Sequence, residues 1–297
     1  MKKKFFTNGN DVKVIARNIK TVYVNKYYNL FMKSMKWTGL TPEQEDYVMR
    51  RFWAEGTVAG FKIKNLDELA FTPYSTQWYD IYDFPKDILL INKWDAPFIP
   101  NKTLEVGKDV AIGWCQANHK PIRLIVENYI DRIVNVEMVI NTNLQLQKMP
   151  FMVGVSPNDV KKAEDIVERI LNNEVAVFAD LEDLNLVKAF ALNNNYIIDK
   201  LYSYKTSLEN ELLTYLGLDN AMLDDTKDRL ILDQVNANNQ EINANLEGML
   251  DCLKDFAEQL TEVTGIQVSV EPRHKPAESI HEDKAAVKDE EGEEDEN

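Results

Sequence analysis

The feature that most constrains this chain is a run between Pro121 and Pro150 that contains neither Gly nor Pro. Within it Ile122, Ile125, Val126, Tyr129, Ile130, Ile133, Val136, Val139 and Ile140 recur at helical spacing,. At 1.5 Å of rise per residue the run predicts a helix of roughly 40 Å, long against the usual three or four turns. Its apolar residues occupy more than one face, so such a helix needs neighbours on both sides.

Two further long helices are expected. One runs from about Asn195 to Leu216 and is stopped by Gly217, which suits a left-handed C-terminal position,. The other begins near Asp233 and reaches Thr264 before Gly265, with Ile242, Leu246, Met249, Leu250, Leu253, Phe256, Leu260 and Val263 as its stripe,.

Shorter elements surround these three. Between Asn10 and Trp37 apolar residues recur at helical spacing, and Thr41 is an N-cap with Pro42 at the first helical position of a helix ending near Gly56,. From Thr57 to Gly113 alternating segments such as Ala59–Ile63 and the apolar run Ile88–Ile91 predict short strands and loops,. After Pro150 the pattern predicts a strand Phe151–Val155, a helix led by Ser156-Pro157-Asn158-Asp159 to about Leu171, and a strand Val175–Phe178. A polar loop, 218–232, precedes the third long helix, and a last strand, Ile266–Val270, follows it. The expected class is mainly α with a small α+β insert. With no repeat of 20 to 50 residues, a solenoid is not supported.

A chain of 297 residues, 44% of them hydrophobic, can bury one sizeable core or two modest ones,. No stretch of about 18 uninterrupted apolar residues occurs, and Lys2, Lys3 and Lys4 are followed by Phe5-Phe6-Thr7-Asn8-Gly9 rather than a hydrophobic signal core, so a protein made and kept in a cytoplasm is expected,. Cys115 and Cys252 belong to no CxxC pair or His-containing metal spacing and read as buried thiols,.

Charge is unevenly distributed. The net charge of −15 speaks against tight binding of nucleic acid over the whole surface, but not against a conduit that must not grip,. Up to Gly39 the chain carries Lys2, Lys3, Lys4, Lys13, Arg17, Lys20, Lys26, Lys33 and Lys36 against the single acid Asp11. From Glu282 onward it is an acidic tail with nothing to build a core, expected to be disordered,.

Searches for reaction chemistry return little. Gly107-Lys108 is followed by Asp109 with no Gly five residues upstream, so the phosphate-cradling GxxxxGK[ST] loop is absent,. His119, His274 and His281 lie in distant segments, and neither HExxH nor GxSxG occurs,. Asp224 and Asp225, with Asp228 nearby, offer hard oxygen ligands, although adjacent acids in a polar loop are usually solvated,. Neither a metal nor a cofactor is expected, and no catalytic residue is assigned. The basic N-terminal segment admits two readings: Lys and Arg interleaved with Phe5, Phe6, Tyr23, Tyr27 and Tyr28 form a nucleic-acid contact, or an amphipathic helix buries its aromatics and leaves its lysines in water,.

Tyr196-Ile197-Ile198-Asp199-Lys200-Leu201, Tyr215-Leu216-Gly217-Leu218-Asp219-Asn220-Ala221, Asp233-Gln234-Val235 and Asn239-Gln240-Glu241-Ile242 resemble, in order and spacing, the corresponding stretch of the upper collar (portal) proteins of small short-tailed bacteriophages. Asn143 with Gln147-Lys148-Met149-Pro150 is similar to another point of that family, so the resemblance covers about residues 120 to 274. It implies a ring subunit with stem helices at 122–149 and 193–217 and a small SH3-like α+β domain at the narrow end, 150–192. It also implies an N-terminal wing region over 1–121, a channel loop at 218–232 and a wide-end helix and strand at 233–281, before the tail at 282–297.

The same resemblance implies function. Lys200 falls where the family places a channel-facing lysine, Lys188 lies near another such place, and Lys227 and Arg229 lie in the loop that faces DNA. Asp224-Asp225 and Gln234 depart from the family pattern, which is more basic at the first place and acidic at the second. The implied partners are further copies of the chain in a ring, dodecameric in relatives, double-stranded DNA in the channel, the major capsid protein and lower collar or tail proteins. A packaging ATPase and a packaging RNA complete them, touched through Lys2, Lys3 and Lys4; no membrane is implied. The expected place is a capsid vertex in the virion, after assembly in a host cytoplasm. The competing reading is a single-stranded nucleic-acid-binding or replication accessory protein that uses the basic aromatic segment, with the acidic tail competing for the same site.

Overall fold

The computed structural model describes residues 9–64, 66–92, 95–148, 151–154, 188–191, 196–220 and 232–273. The insert helix and strand expected over 156–178, most of the loop at 218–232 and the acidic tail lie outside the described residues.

Local chemistry fixes the second helix first. In α2 (Pro42–Glu55) the Thr41 hydroxyl accepts the Gln44 N–H while the Gln44 side chain accepts the Thr41 N–H, a reciprocal cap that satisfies two otherwise orphaned donors,. Gly56 ends the helix at φ 75°, and a Cβ there would stand 2.7 Å from the Lys120 carbonyl. Only glycine fits both demands, and the segment entering the long helix α3 (Ile122–Lys148) crosses that spot,.

The first helix, α1 (Gly9–Met32), stops short of the expected Trp37. Residues Met35–Thr38 form strand β1, whose Met35 and Trp37 are buried and Lys36 and Thr38 exposed, the period of two that a strand imposes,. Its antiparallel partner is β10 (Ser269–Pro272), paired Trp37 to Val270. The last strand thus begins later than the expected Ile266, because the backbone N–H groups of Ile266 and Val268 are taken by the hydroxyls of Thr264 and Thr261 in the turn after the last helix.

Between α2 and α3 six strands are found: β2 (Thr57–Ile63), β3 (Glu68–Thr72), β4 (Tyr74–Tyr79), β5 (Pro85–Leu90), β6 (Thr103–Glu105) and β7 (Ala111–Trp114). They form two antiparallel three-stranded sheets, ordered β3-β2-β7 and β4-β5-β6. Ala59, Phe61 and Ile112 from the first, with Val110 just ahead of β7, meet Ile88, Leu90 and Leu104 from the second in one apolar cluster. The opposite face of the first sheet, through Val58 and Ala111, joins the main core.

That core is centred on the last helix, here α5 (Leu232–Thr264), which follows α4 (Ile198–Tyr215). Phe256 is met edge-on by Trp37, Phe52 and Phe71 at 6.2, 6.0 and 6.4 Å between ring centres,. Gly113 of β7 lets the helix approach, since a Cβ there would lie 2.5 Å from the Phe256 ring. Cys115 is buried as expected, but Cys252 is only half-buried, because it lies beside the buried stripe of Met249, Leu253 and Phe256 rather than within it. Burial, and then the neighbouring Asp255 and Asp251 charges, push its thiol pKa up.

Strands β8 (Phe151–Gly154) and β9 (Lys188–Ala191) pair antiparallel, with Gly154 opposite Lys188. The expected strand after Pro150 is therefore present, and its partner is one the sequence pattern did not single out.

Candidate nucleic-acid interface

Helices α3 and α4 pack along one another and against α1. Ile133, Val136 and Ile140 of α3 meet Leu208 of α4, with Tyr23 of α1 and Tyr129, Ile198 and Leu201 at the margin. Next to this apolar seam lies a charged clamp. Glu209 of α4 is buried, and its carboxylate accepts from the Lys26 ammonium at 2.5 Å and the Tyr27 hydroxyl at 3.3 Å. Glu137 of α3 accepts from Tyr23 at 3.1 Å and from Lys205 at 3.0 Å. Burial first, and then the carboxylates beside them, raise the pKa of both Tyr23 and Tyr27, keeping them neutral,. Each buried charge in the clamp has an opposite charge within hydrogen-bond reach, the condition under which burial is tolerated.

The clamp decides between the two readings of the basic segment over the described part of α1. Tyr27 is fully buried, Tyr23 points at Glu137, and Tyr28 meets Trp53 edge-on at 5.4 Å. Their faces are spent inside the molecule and are not offered to bases. Lys20 pairs with Asp131 of α3 at 2.7 Å, so part of the basic charge is matched on the surface of the chain itself. Phe5 and Phe6 lie outside the described residues.

Of the residues singled out from the sequence, Lys200 is the one whose side chain is described. It is exposed in the first turn of α4, and helical spacing puts it on one face with Tyr204, also exposed,. Lys188 is placed by its backbone alone, at the start of β9. Lys2, Lys3, Lys4, Lys227 and Arg229 lie outside the described residues, as do Asp224, Asp225 and Asp228.

Two contributors were missed by sequence reasoning. Arg132 of α3 reaches the α4 face, donating to the Tyr204 hydroxyl at 3.2 Å and lying 4.0 Å from Glu211. It is one of several charged positions on α3, a signal too common to use. The second is the base of the loop after α4. Gly217 sits at φ 66°, and the Asn220 amide donates to the Thr214 hydroxyl at 2.9 Å and accepts from the Asn238 amide of α5 at 2.8 Å. This clasp holds the end of α4 to α5 where the loop begins.

Among the described residues no cluster of His, Cys, Asp or Glu suited to a metal is found, and no helix is long and apolar enough to cross a membrane. The arrangement offers surfaces and a long paired-helix rod.

A family model described as Phage Connector (GP10) matches residues 7–276. The chain belongs to the phage connector family. Its role is that of a portal, the head–tail connector of a bacteriophage. Membership rests on the match over nearly the whole chain, which extends the resemblance read from residues 120 to 274 into the N-terminal part. The connector is also similar, at low identity, to solved structures. The portal and tail of native bacteriophage P68 shares 12% identity over 91% of this chain and 90% of that one, with a TM-score of 0.49. An HK97-family phage portal protein from Corynebacterium diphtheriae shares 9% over 90% and 95%, with a TM-score of 0.44. The neck of an empty gene transfer agent particle shares 9% over 88% and 79%, with a TM-score of 0.39.

Proposed function

We propose that this connector assembles as a homo-oligomeric ring, dodecameric as in relatives. It sits at one vertex of the capsid, gives double-stranded DNA its path during packaging and ejection, and attaches the tail, with no catalytic residue of its own. The observation that carries the proposal is the family match across residues 7–276. The paired rods α3 and α4 suit a stem: α3 has 27 residues, about 40 Å at 1.5 Å each. In that ring Lys200 faces the channel, and one lysine per subunit becomes a circle of positive charge that steers a polyanion without holding it. Lys188, Lys227 and Arg229 are the further channel residues, and Lys2, Lys3 and Lys4 meet the packaging motor or its RNA. The strand pair β8–β9 belongs to the SH3-like domain at the narrow end.

Negative-stain imaging of the purified chain with mass determination in solution tests this. Rings with a central hole wide enough for a duplex are the expected result. A uniform monomer at micromolar concentration would sink the ring.

A further inference from the structure

Most of the described cations on the helices are matched by an acid: Lys20, Lys26, Arg50, Arg51, Arg123 and Lys205 each have a carboxylate within 3.0 Å. Lys13 and Arg17 differ. Both are exposed, neither has a carboxylate partner among the described residues, and they stand one turn apart on one face of α1. Like charges at that spacing oppose the helix that carries them. The face offers no relief, since the next charged residue along it, Lys20, is a third cation already taken by Asp131. The other described helical cations without a partner do not adjoin one another: Lys200 stands alone on α4, and Lys254 has Asp251 and Glu258 at helical spacing on α5.

The same chain carries an anion that answers this face. Residues 289–296 are all acidic except Gly292, and they lie outside the described residues. The place where the chain leaves the body toward them is fixed. Arg273 donates its backbone N–H to the Ser34 carbonyl at 2.8 Å, and its guanidinium donates to the Met35 carbonyl at 2.7 Å and to Glu45. Ser34 lies two residues beyond Met32, so the departure point is the foot of α1. Arg17 is about 22 Å back along the helix from Met32 at 1.5 Å per residue,. The sixteen residues from Arg273 to Asp289 span up to about 55 Å, enough to bring the acidic segment there,.

We infer that residues 289–296 dock on the Lys13–Arg17 face of α1 of their own chain and close it to other polyanions. Attachment makes the encounter intramolecular, whereas a free polyanion must approach a molecule whose net charge is −15,. Because the contact joins exposed charges, salt weakens it and a stronger polyanion displaces it. It forms within one subunit and needs no ring.

The test is zero-length carbodiimide crosslinking of the full chain, in protein assembled from a mixture of isotopically light and heavy molecules, since the reagent joins a lysine amine only to a carboxylate that it touches. After peptide mapping, same-isotope links from Lys13 to residues 289–296 are expected. They should exceed links from Lys200 or Lys254 to that segment by about fivefold, the scale of two exposed ion pairs. They should fall toward that background in about 1 M salt, where the screening length is about 3 Å. Arg17→Glu should lower them by about fivefold while Arg17→Lys keeps them. Arg17 is exposed, so neither variant disturbs packing. Equal yields from the three lysines would mean that the segment has no seat on α1, and would overturn the inference. Links found only between light and heavy chains, or links undiminished in Arg17→Glu, overturn it too, and all three outcomes leave the ring reading in place.

Discussion

The main core and the α1–α3–α4 junction of this connector are held by different physics. Around Phe256 three aromatic rings converge on one helix side chain, and sheet and helix approach closely enough to require Gly113. At the junction, Glu209 and Glu137 gather two lysines and two tyrosines from separate helices. The first kind of contact is non-directional and indifferent to salt. The second is directional, with Lys26 and Lys205 supplying charges that the Glu209 and Glu137 carboxylates balance,. Helix α5 is therefore cemented to the strands of the β3-β2-β7 sheet and to Trp37 of β1, while α3, α4 and α1 are keyed to one another by a few polar pairs.

The largest expected effect is on the apolar side. Phe256→Ala removes the ring that Trp37, Phe52 and Phe71 enclose, and should lower stability by about 4 kcal/mol. Urea unfolding at fixed protein concentration measures it, and the loss should be the same at low and high salt. A loss below about 1 kcal/mol would show that the site collapses around the gap and that Phe256 is not the centre of the core.

Phe256 was legible in the sequence, and Glu209 was not. The helices declared themselves through long periodic stripes and hard stops: Pro121 ahead of α3, Gly217 after α4, Gly265 after α5, and Thr41-Pro42 opening α2. Strand β1 was hidden because Met35 and Trp37 also fit the helical spacing of the residues before them, and its partner lies more than two hundred residues away. Glu209 looked like an ordinary surface acid of a helix, since nothing local reveals that a lysine and a tyrosine from α1 will reach it. The site followed the same rule. Lys200 was singled out through resemblance alone, whereas the reach of Arg132 across to Tyr204 depends on how two helices pack,.

The next effect in size falls on the polar side. Glu209→Ala leaves the buried Tyr27 hydroxyl without its acceptor and Lys26 without its partner. Lys26 is 43% exposed and can turn to water, so the loss should be about 3 kcal/mol, toward the low end for breaking a buried pair,. Unlike the loss at Phe256, it should shrink when the wild type is compared in high salt. Equal salt dependence at the two sites would erase the distinction between them. A double-mutant cycle with Lys26→Met sharpens it, because a coupling well below 1 kcal/mol would mean that the tyrosines, not the ion pair, hold α1.

The smallest effect changes sign with pH. Tyr27→Phe removes one hydrogen bond to a carboxylate that keeps Lys26, so near neutrality it should cost about 0.5 kcal/mol,. Burial and then the charge on Glu209 raise the Tyr27 pKa above its ordinary value of 10.0, so the unfolded chain releases this proton at a lower pH than the folded one. The wild type then binds more protons folded than unfolded, and its stability falls as pH rises past 10, by up to about 1.4 kcal/mol per pH unit for this one group. Phenylalanine has no proton to lose. Tyr27→Phe should therefore be the less stable protein at pH 8 and the more stable one at pH 11, as read from urea midpoints. If the wild type stays ahead at both values, the hydroxyl reaches water in the folded chain and the clamp is more open than its geometry indicates.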